Sequence, residues 1–400
     1  MKSVQLKEII TQIRGISYSK GDAVSNEIRG YIPLIRANNI LDGILTKDDL
    51  LYVPASIVKD KQLIKTGDIV IAASSGSINI VGKAAYSTDN LNSTFGAFCK
   101  LIRPNTKHVL PGYLNFYFQS NAYRKKISSL AQGANINNLK NEHIDELEIL
   151  LPSLPEQKRI AEILDKADAL RQKNKQLLAA YDELLQATFL DMFGDPSSNK
   201  YGYDRRTLKE ISLRFSDGPF GSNLKTEHYS NEGVQVVRLQ NIGINEFVED
   251  DITYVNQKHY ENVLKKYSCY PDDIVIATLG IPNIRACVVP KHIKVSVNKA
   301  DCVLFRVNSH IVNNQYVSHL LNQYGFLSMA KSFMHGQTRT RISSGQLAKI
   351  SIPIPPMLIQ NQFAQIVENI EAQKTLAKQS LQESEDLFNG LVQKAFGGKL

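Results

Sequence analysis

The sequence predicts an α+β fold: two pseudo-two-fold-related domains joined by two long antiparallel coiled-coil helices. Three observations predict it. Internal repetition runs along the chain in one register with only small shifts, basic blocks alternate with weakly acidic ones, and each basic block ends in prolines that open a long helix-forming run.

The repetition carries the most weight. Leu6-Lys7-Glu8-Ile9 returns as Leu208-Lys209-Glu210-Ile211, and at the same shift Arg36 meets Arg238 and Asn39-Ile40 meets Asn241-Ile242. Asp68-Ile69-Val70-Ile71-Ala72 returns as Asp273-Ile274-Val275-Ile276-Ala277. Further on, Arg103 meets Arg306, Tyr113 meets Tyr316, Pro152 meets Pro355, Gln157 meets Gln360, and Phe193-Gly194 meets Phe396-Gly397. Chance matches do not hold one register over such a length, so the chain is two copies of one unit, a globular block followed by a helix.

Charge follows the same division. Residues 1–154 carry 18 Lys/Arg against 13 Asp/Glu, and residues 197–355 carry 19 against 13. The intervening segments, 155–196 and 356–400, carry 6 against 8 and 4 against 5. Two basic modules on near-neutral connectors are the electrostatic footprint of a protein that meets a polyanion twice.

The first connector opens at Pro155-Glu156 and has no further Pro or Gly until Gly194, which predicts one continuous helix. Its heptad seam reads Ile160, Ile163, Ala167, Leu170, Asn174, Leu177, Tyr181, Leu184 and Thr188, and such a stripe needs a partner helix. Asn174 either fixes register there or is a core amide satisfied by water. The second helix, about Ile359 to Phe396, has a looser stripe of Phe363, Ile366, Val367, Ile370, Ala377, Leu381, Leu387, Phe388 and Leu391. Within the blocks, turns at Gly67-Asp68 and Pro271-Asp272-Asp273 feed the buried strands Ile69–Ala72 and Ile274–Ala277. Residues 111–129 and 313–332 read as helical.

Several chemistries are absent from the pattern. There is no G-x-x-x-x-G-K-[ST] loop and no H-E-x-x-H helix. Ile354-Pro355-Pro356-Met357 lacks both the amide or acid and the aromatic residue with which an adenine methyltransferase presents its base. Cys99, Cys269, Cys287 and Cys302 lie far apart and predict buried reduced thiols rather than a metal or disulfide framework. No apolar run is long enough to span a bilayer, and the N-terminus lacks a signal-peptide core, so a non-catalytic cytoplasmic protein without metal or cofactor is expected.

The segment Leu151-Pro152-Ser153-Leu154-Pro155-Glu156-Gln157-Lys158-Arg159-Ile160, with Phe193-Gly194-Asp195-Pro196, resembles the central spacer of type I restriction–modification specificity subunits. Ile352-Pro353-Ile354-Pro355-Pro356 through Phe396-Gly397-Gly398-Lys399-Leu400 resembles their distal spacer. Asp217-Gly218-Pro219-Phe220-Gly221-Ser222 leading to Val237-Arg238-Leu239-Gln240-Asn241-Ile242 is also similar to the family, with Ser19-Lys20-Gly21-Asp22 standing at the first place in the other copy. The resemblance implies target-recognition domains at 1–150 and 197–355, with spacer helices at 151–196 and 356–400. It also implies a double-stranded DNA target in two halves, whose spacing the helices set. Two modification subunits that bind S-adenosylmethionine and methylate adenine, and translocating restriction subunits, are the implied partners. S-adenosylmethionine, ATP and Mg are expected on those partners and not on this chain. A DNA-binding regulator without methyltransferase partners, and a helical protein-binding scaffold, are the competing readings.

DNA readers position on phosphates with Lys, Arg, Ser, Thr and backbone N–H, and read base edges with Arg, Asn, Gln and Ser/Thr. Such residues recur at matching places in the two copies. In the first they are Ser74, Ser75, Ser77, Asn79 and Lys83, then Asn135, Asn137 and Lys140. In the second they are Thr278, Asn283 and Arg285, then Gln337, Thr338, Arg339 and Arg341, with Lys225 ahead of them. Arg36 and Arg238 are equally well read as structural arginines. One copy is Asn-rich and the other Arg/Thr-rich, so two unlike half-sites are expected.

Overall fold

The strand Ile69–Ala72 is apolar along its whole length because both of its faces are covered. It lies between Cys99–Pro104 and Ala84–Tyr86, antiparallel to both, in a six-stranded sheet that also holds Ile10–Arg14, Gly43–Leu45 and Ile40–Leu41. Its repeat, Ile274–Ala277, lies antiparallel between Cys302–Val307 and Arg285–Val288. Val70 faces Leu101 across the first ladder, and Val275 faces Leu304 across the second, so the repeat in sequence is a repeat in register. The computed structural model describes residues 2–19, 21–41, 43–131, 137–280, 282–334 and 340–400, apart from the side chains of Asn137 and Ser222.

The chain divides into two units, Met1–Gln176 with Lys378–Leu400 and Leu177–Ala377. The division therefore crosses both long helices, Leu154–Phe193 and Met357–Phe396. Each unit adds a smaller sheet: Thr94–Phe95, Tyr31–Ile35 and Leu51–Pro54 in the first, and five short strands around Val234–Val237 in the second. Each also brings the start of its globular block against the end of it. Lys2–Gln5 pairs with Glu148–Leu151, and Arg205–Thr207 pairs with Ser351–Pro353, just ahead of the respective helix. The mixed architecture and the two long helices are those the sequence predicts. The helical stretches within the blocks differ, because each is broken in two. Ser120 takes an extended conformation and its side chain accepts from the Tyr123 N–H, ending Pro111–Gln119 and capping Asn121–Leu130. Gln323 makes the equivalent break between Asn314–Leu321 and Tyr324–Lys331.

The glutamine of the Pro-Glu-Gln run acts as a buried clamp. Gln157 Oε1 accepts from the Leu110 N–H at 2.8 Å, while Nε2 donates to the carbonyls of His108 and Pro152. Gln360 repeats this in the second unit, accepting from the Asn313 N–H and donating to the Pro355 carbonyl. Tyr113 and Tyr316 donate to the carbonyls of Leu150 and Pro353 beside these clamps. Two ion pairs also repeat: Arg103 with Asp68, and Arg306 with Asp273, both aspartates being almost wholly buried. All four cysteines are buried and free, and burial pushes the thiols of Cys99 and Cys302 up to about 12.

Within each unit the two helices run antiparallel, and the apolar seam keeps part of the stripe the heptads suggest, Ile160 and Ala167 on the first helix and Phe363, Val367, Ile370 and Phe388 on the second. In the first unit Ile160, Leu164 and Ala167 pack with Phe388, Val392 and Ala395; in the second, Leu185, Phe189 and Phe193 pack with Phe363, Val367 and Ile370. Leu170, Leu177 and Leu184, expected on the seam, are instead close to half exposed. A straight helix drifts against a seven-residue repeat, and the inward face moves off the initial a and d positions. Asn174 does lie on the contact, donating to the Ser380 carbonyl and Ser384 Oγ, so its amide is satisfied by the partner helix. Lys374 plays the polar part in the second unit, between Asp182 and Glu371. Among the described residues no helix is long and apolar enough to cross a membrane.

Candidate nucleic-acid interface

In each unit the loop that follows the central buried strand meets the loop that precedes the last helical turn of the block. In the first, Ser74–Ser75 pairs antiparallel with Asn137–Asn138. In the second, Leu279 bridges Arg341, the equivalent position. The two loop regions named in each copy from composition are thus neighbours in space, joined by backbone hydrogen bonds that do not depend on their differing side chains.

The first unit offers a polar, accessible edge. Ser74 and Ser75 are half-buried, and Ser77 and Asn79 are exposed. Arg124 donates to the carbonyls of Val81 and Asn79, and Tyr123 donates to that of Gly82, so a helix braces this loop from behind. Lys83 is half-buried in the returning chain, and Lys140 is exposed at the start of Asn141–Asp145. Asn135 lies outside the described residues, as does the side chain of Asn137.

In the second unit several of the named residues serve the backbone instead. Thr278 is 1% exposed and its hydroxyl donates to the Asp301 carbonyl. Asn283 is buried and donates to both the carbonyl and the hydroxyl of Thr340. Arg285 spends its guanidinium on the carbonyls of Ile242, Pro282 and Leu239. These three therefore shape the loops from within, bonded to the main chain and, for Asn283, to the Thr340 hydroxyl. Arg341 is the residue that faces outward, about half exposed, with its NH2 2.5 Å from Asp301 Oδ1. Gln337, Thr338 and Arg339 lie outside the described residues. Lys225 is exposed, well before these loops in sequence, with Nζ 3.7 Å from Glu227.

Arg36 and Arg238 resolve as structural. Each donates to the main-chain carbonyl of the aspartate thirteen residues on and pairs with its carboxylate, Asp49 in one copy and Asp251 in the other. Arg238 beside it draws the Asp251 carboxyl below its ordinary value. Asn39 and Asn241 close the same turn by accepting from the backbone N–H of these arginines. The Asp217-Gly218 segment also has a structural role: a Cβ on Gly218 would overlap the carbonyls of Asn298 and Lys299. Its counterpart is Gly15, where a Cβ would overlap the Gly96 carbonyl, and not the Ser19–Asp22 segment that the sequence placed there. The pairing of Asp301 with Arg341 was not legible in the sequence, since forty residues separate them and only the fold brings them together.

A duplicated scaffold that carries unlike polar loops at equivalent places defines a two-headed recognition protein. The family described as type I restriction modification DNA specificity domain matches residues 1–180 and 223–385, and the chain belongs to that family. It is 30% identical over 417 residues to the type I restriction enzyme StySPI specificity subunit of Salmonella potsdam, covering 98% of this chain and 87% of that protein. It is 34% identical over 275 residues to the EcoKI specificity subunit of Escherichia coli (strain K12), covering 67% of this chain and 59% of that one. The fold is similar to that of the type I restriction-modification S subunit from M. genitalium, with a TM-score of 0.52 at 16% identity over 99% of this chain and 96% of that one. A chain from a solved structure on assembly and conformational transition of the type I R-M system aligns with a TM-score of 0.56 at 16% identity, covering 100% of this chain and 98% of that one.

Proposed function

We propose that each unit reads one half of a split double-stranded DNA target, and that the two halves differ in sequence. The observation that carries this is the repeated loop pair, Ser74–Ser75 with Asn137–Asn138 and Leu279 with Arg341, which brings Ser and Asn together in one unit and an Arg ion-paired with an Asp in the other. Unlike readers on like scaffolds recognise unlike half-sites, where identical copies would read a palindrome. The proposed contacts in the first unit are Ser74, Ser75, Ser77, Asn79, Asn137 and Lys140, with Asn135 and Lys83 flanking. In the second they are Arg341 and, from the neighbouring stretch, Gln337, Thr338 and Arg339, with Lys225 on phosphate. The chain supplies no catalytic group in this reading. Two modification subunits would bring S-adenosylmethionine and methylate adenine, and restriction subunits would bring ATP and Mg. Leu177 and Leu184, apolar and about half exposed on the long helix, are suited to packing against such a partner.

Exchanging residues 1–150 for the same block of a relative, with adenine methylation mapped genome-wide, tests the reading. One half of the methylated motif should change and the other stay. Simultaneous change of both halves would overturn the two-reader assignment, and failure of the chain to co-purify with a methyltransferase would favour a free-standing DNA binder.

A further inference from the structure

Phe98 is 68% exposed, the ring lying outside the apolar cores of its unit, in the tight turn that joins Thr94–Phe95 to Cys99–Pro104. One exposed aromatic residue is unremarkable by itself, because folded proteins leave many apolar side chains at the surface. Its surroundings set it apart. The Phe98 carbonyl accepts from the N–H groups of both Ala73 and Ser74, at 2.8 and 3.0 Å, so the turn is bonded directly to the loop that pairs with Asn137–Asn138. Phe98 also borders a cleft of about 810 Å³ whose wall includes Tyr18, Asn38 and Ser74.

The second unit places a turn at the same position, with Asp301 in a left-handed conformation (φ 66°) that Phe98 does not share. There the Asp301 carbonyl accepts from the N–H of Thr278, the residue equivalent to Ala73. The Cys302 N–H bonds the Lys299 carbonyl as the Cys99 N–H bonds that of Gly96. Gly15 and Gly218 hold the two turns from below by the close approaches already described. Phe98 and Asp301 are therefore equivalent residues, and they present opposite chemistry. Asp301 is ion-paired with Arg341, a hydrogen-bonding group, beside the loop pair of the second unit. Phe98 puts an exposed apolar ring beside the loop pair of the first.

We propose that Phe98 is a specificity-determining residue that reads the 5-methyl group of a thymine in the first half-site. In the major groove thymine alone carries an apolar group on its edge, and an aromatic side chain among Ser and Asn donors is suited to finding it. The residue is exposed in the free protein because its partner is the DNA. This inference rests on the proposed reading of DNA by the first unit.

The test uses the full chain assembled with its modification subunit, and duplexes carrying the motif defined by methylation mapping. Each thymine of the first half-site is replaced in turn by uracil, which removes only the methyl group. Wild-type complex should lose about fourfold in affinity at one position, the worth of one buried methyl group. Phe98→Ala should bind weaker and be indifferent to that replacement, while Phe98→Leu, still apolar, should keep part of the sensitivity. Methylation by Phe98→Ala should spread to motifs with another base at that position. A first half-site without thymine, a wild type indifferent to every uracil, or an equal loss in Phe98→Ala would overturn the assignment while leaving the two-reader function intact. Absence of any sequence-specific binding by the wild-type complex would overturn that function and this inference with it.

Discussion

The side-chain amide of Asn174 reaches across the helix pair to Ser384, 3.2 Å from its Oγ, and also donates to the Ser380 carbonyl at 3.0 Å. Ser384 Oγ in turn donates to the Leu381 carbonyl, so the crossing is tied to the backbone of the second helix at two places. Asn174→Ala should lower the stability of the first unit by about 1 kcal/mol, the usual net worth of such hydrogen bonds. Urea unfolding of Asn174→Ala, Ser384→Ala and the double variant would give the coupling. An additive double variant would show that the two side chains do not act together.

The glutamine clamps make a larger prediction. Gln157→Leu keeps the volume but leaves the Leu110 N–H and the carbonyls of His108 and Pro152 without their partner. Each buried group so stranded costs about 1–3 kcal/mol, so the variant should unfold at markedly lower urea. Gln360→Leu should do the same to the second unit through Asn313 and Pro355. Hydrogen exchange separates the two effects: Gln157→Leu should deprotect Pro111–Gln119 and Gln360→Leu should deprotect Asn314–Leu321.

These clamps also show what was legible in the sequence. Repeat matching found Gln157 and Gln360 because a buried amide with several partners cannot drift, and the same logic found Asp68 with Arg103 and Asp273 with Arg306. Residues that differ between the copies left no such mark. Phe98 and Asp301 occupy one position with opposite chemistry: the register of Arg103 with Arg306 aligns them, but only the backbone bonds of their turns show that they sit alike against the loop pair. Composition named loops that the fold brings side by side, but could not tell outward residues from inward ones. Thr278, Asn283 and Arg285 are the polar types that read DNA, and they are equally the types that satisfy buried carbonyls. The heptad pattern missed in part for a related reason: apolarity marked Leu170, Leu177 and Leu184 along with Ile160 and Ala167, while position on the helix face decided which of them pack.

His319 gives a pH dependence. It is buried edge-on to Phe363, and burial first, then the charge of Lys374, push its pKa down to about 3 from an ordinary 6.5. The unfolded chain therefore binds a proton that the folded one refuses. Its stabilising effect is complete above pH 6.5 and is lost as pH falls towards about 3, at roughly 1.4 kcal/mol per pH unit in between. His319→Phe should flatten the acid limb of the stability curve measured by urea unfolding from pH 7 to pH 4. An unchanged limb would mean that His319 is protonated in the folded protein.

Affinity and readout should separate at two residues of the proposed interface. Lys140 is exposed beside the loop that pairs with Ser74–Ser75, where a cation can neutralise one phosphate but discriminates no base. Lys140→Ala should weaken binding to cognate and unrelated duplexes alike, and reduce the slope of log K against log salt by about 0.9. Arg341 is different, because its guanidinium is ion-paired with Asp301 and about half exposed. Arginine is suited to the paired acceptors of guanine, a contact worth about 1–3 kcal/mol of discrimination. Arg341→Ala should therefore relax one base pair of the second half-site and leave the first half-site intact. Asp301→Asn keeps the turn but releases the arginine, so it should preserve affinity for unrelated DNA while losing part of the preference at that same base pair. Binding titrations over 50–300 mM salt, on duplexes varied one base pair at a time, measure both quantities. If Arg341→Ala altered the salt slope and no base preference, the residue would be a phosphate anchor and Asp301 would have no part in reading.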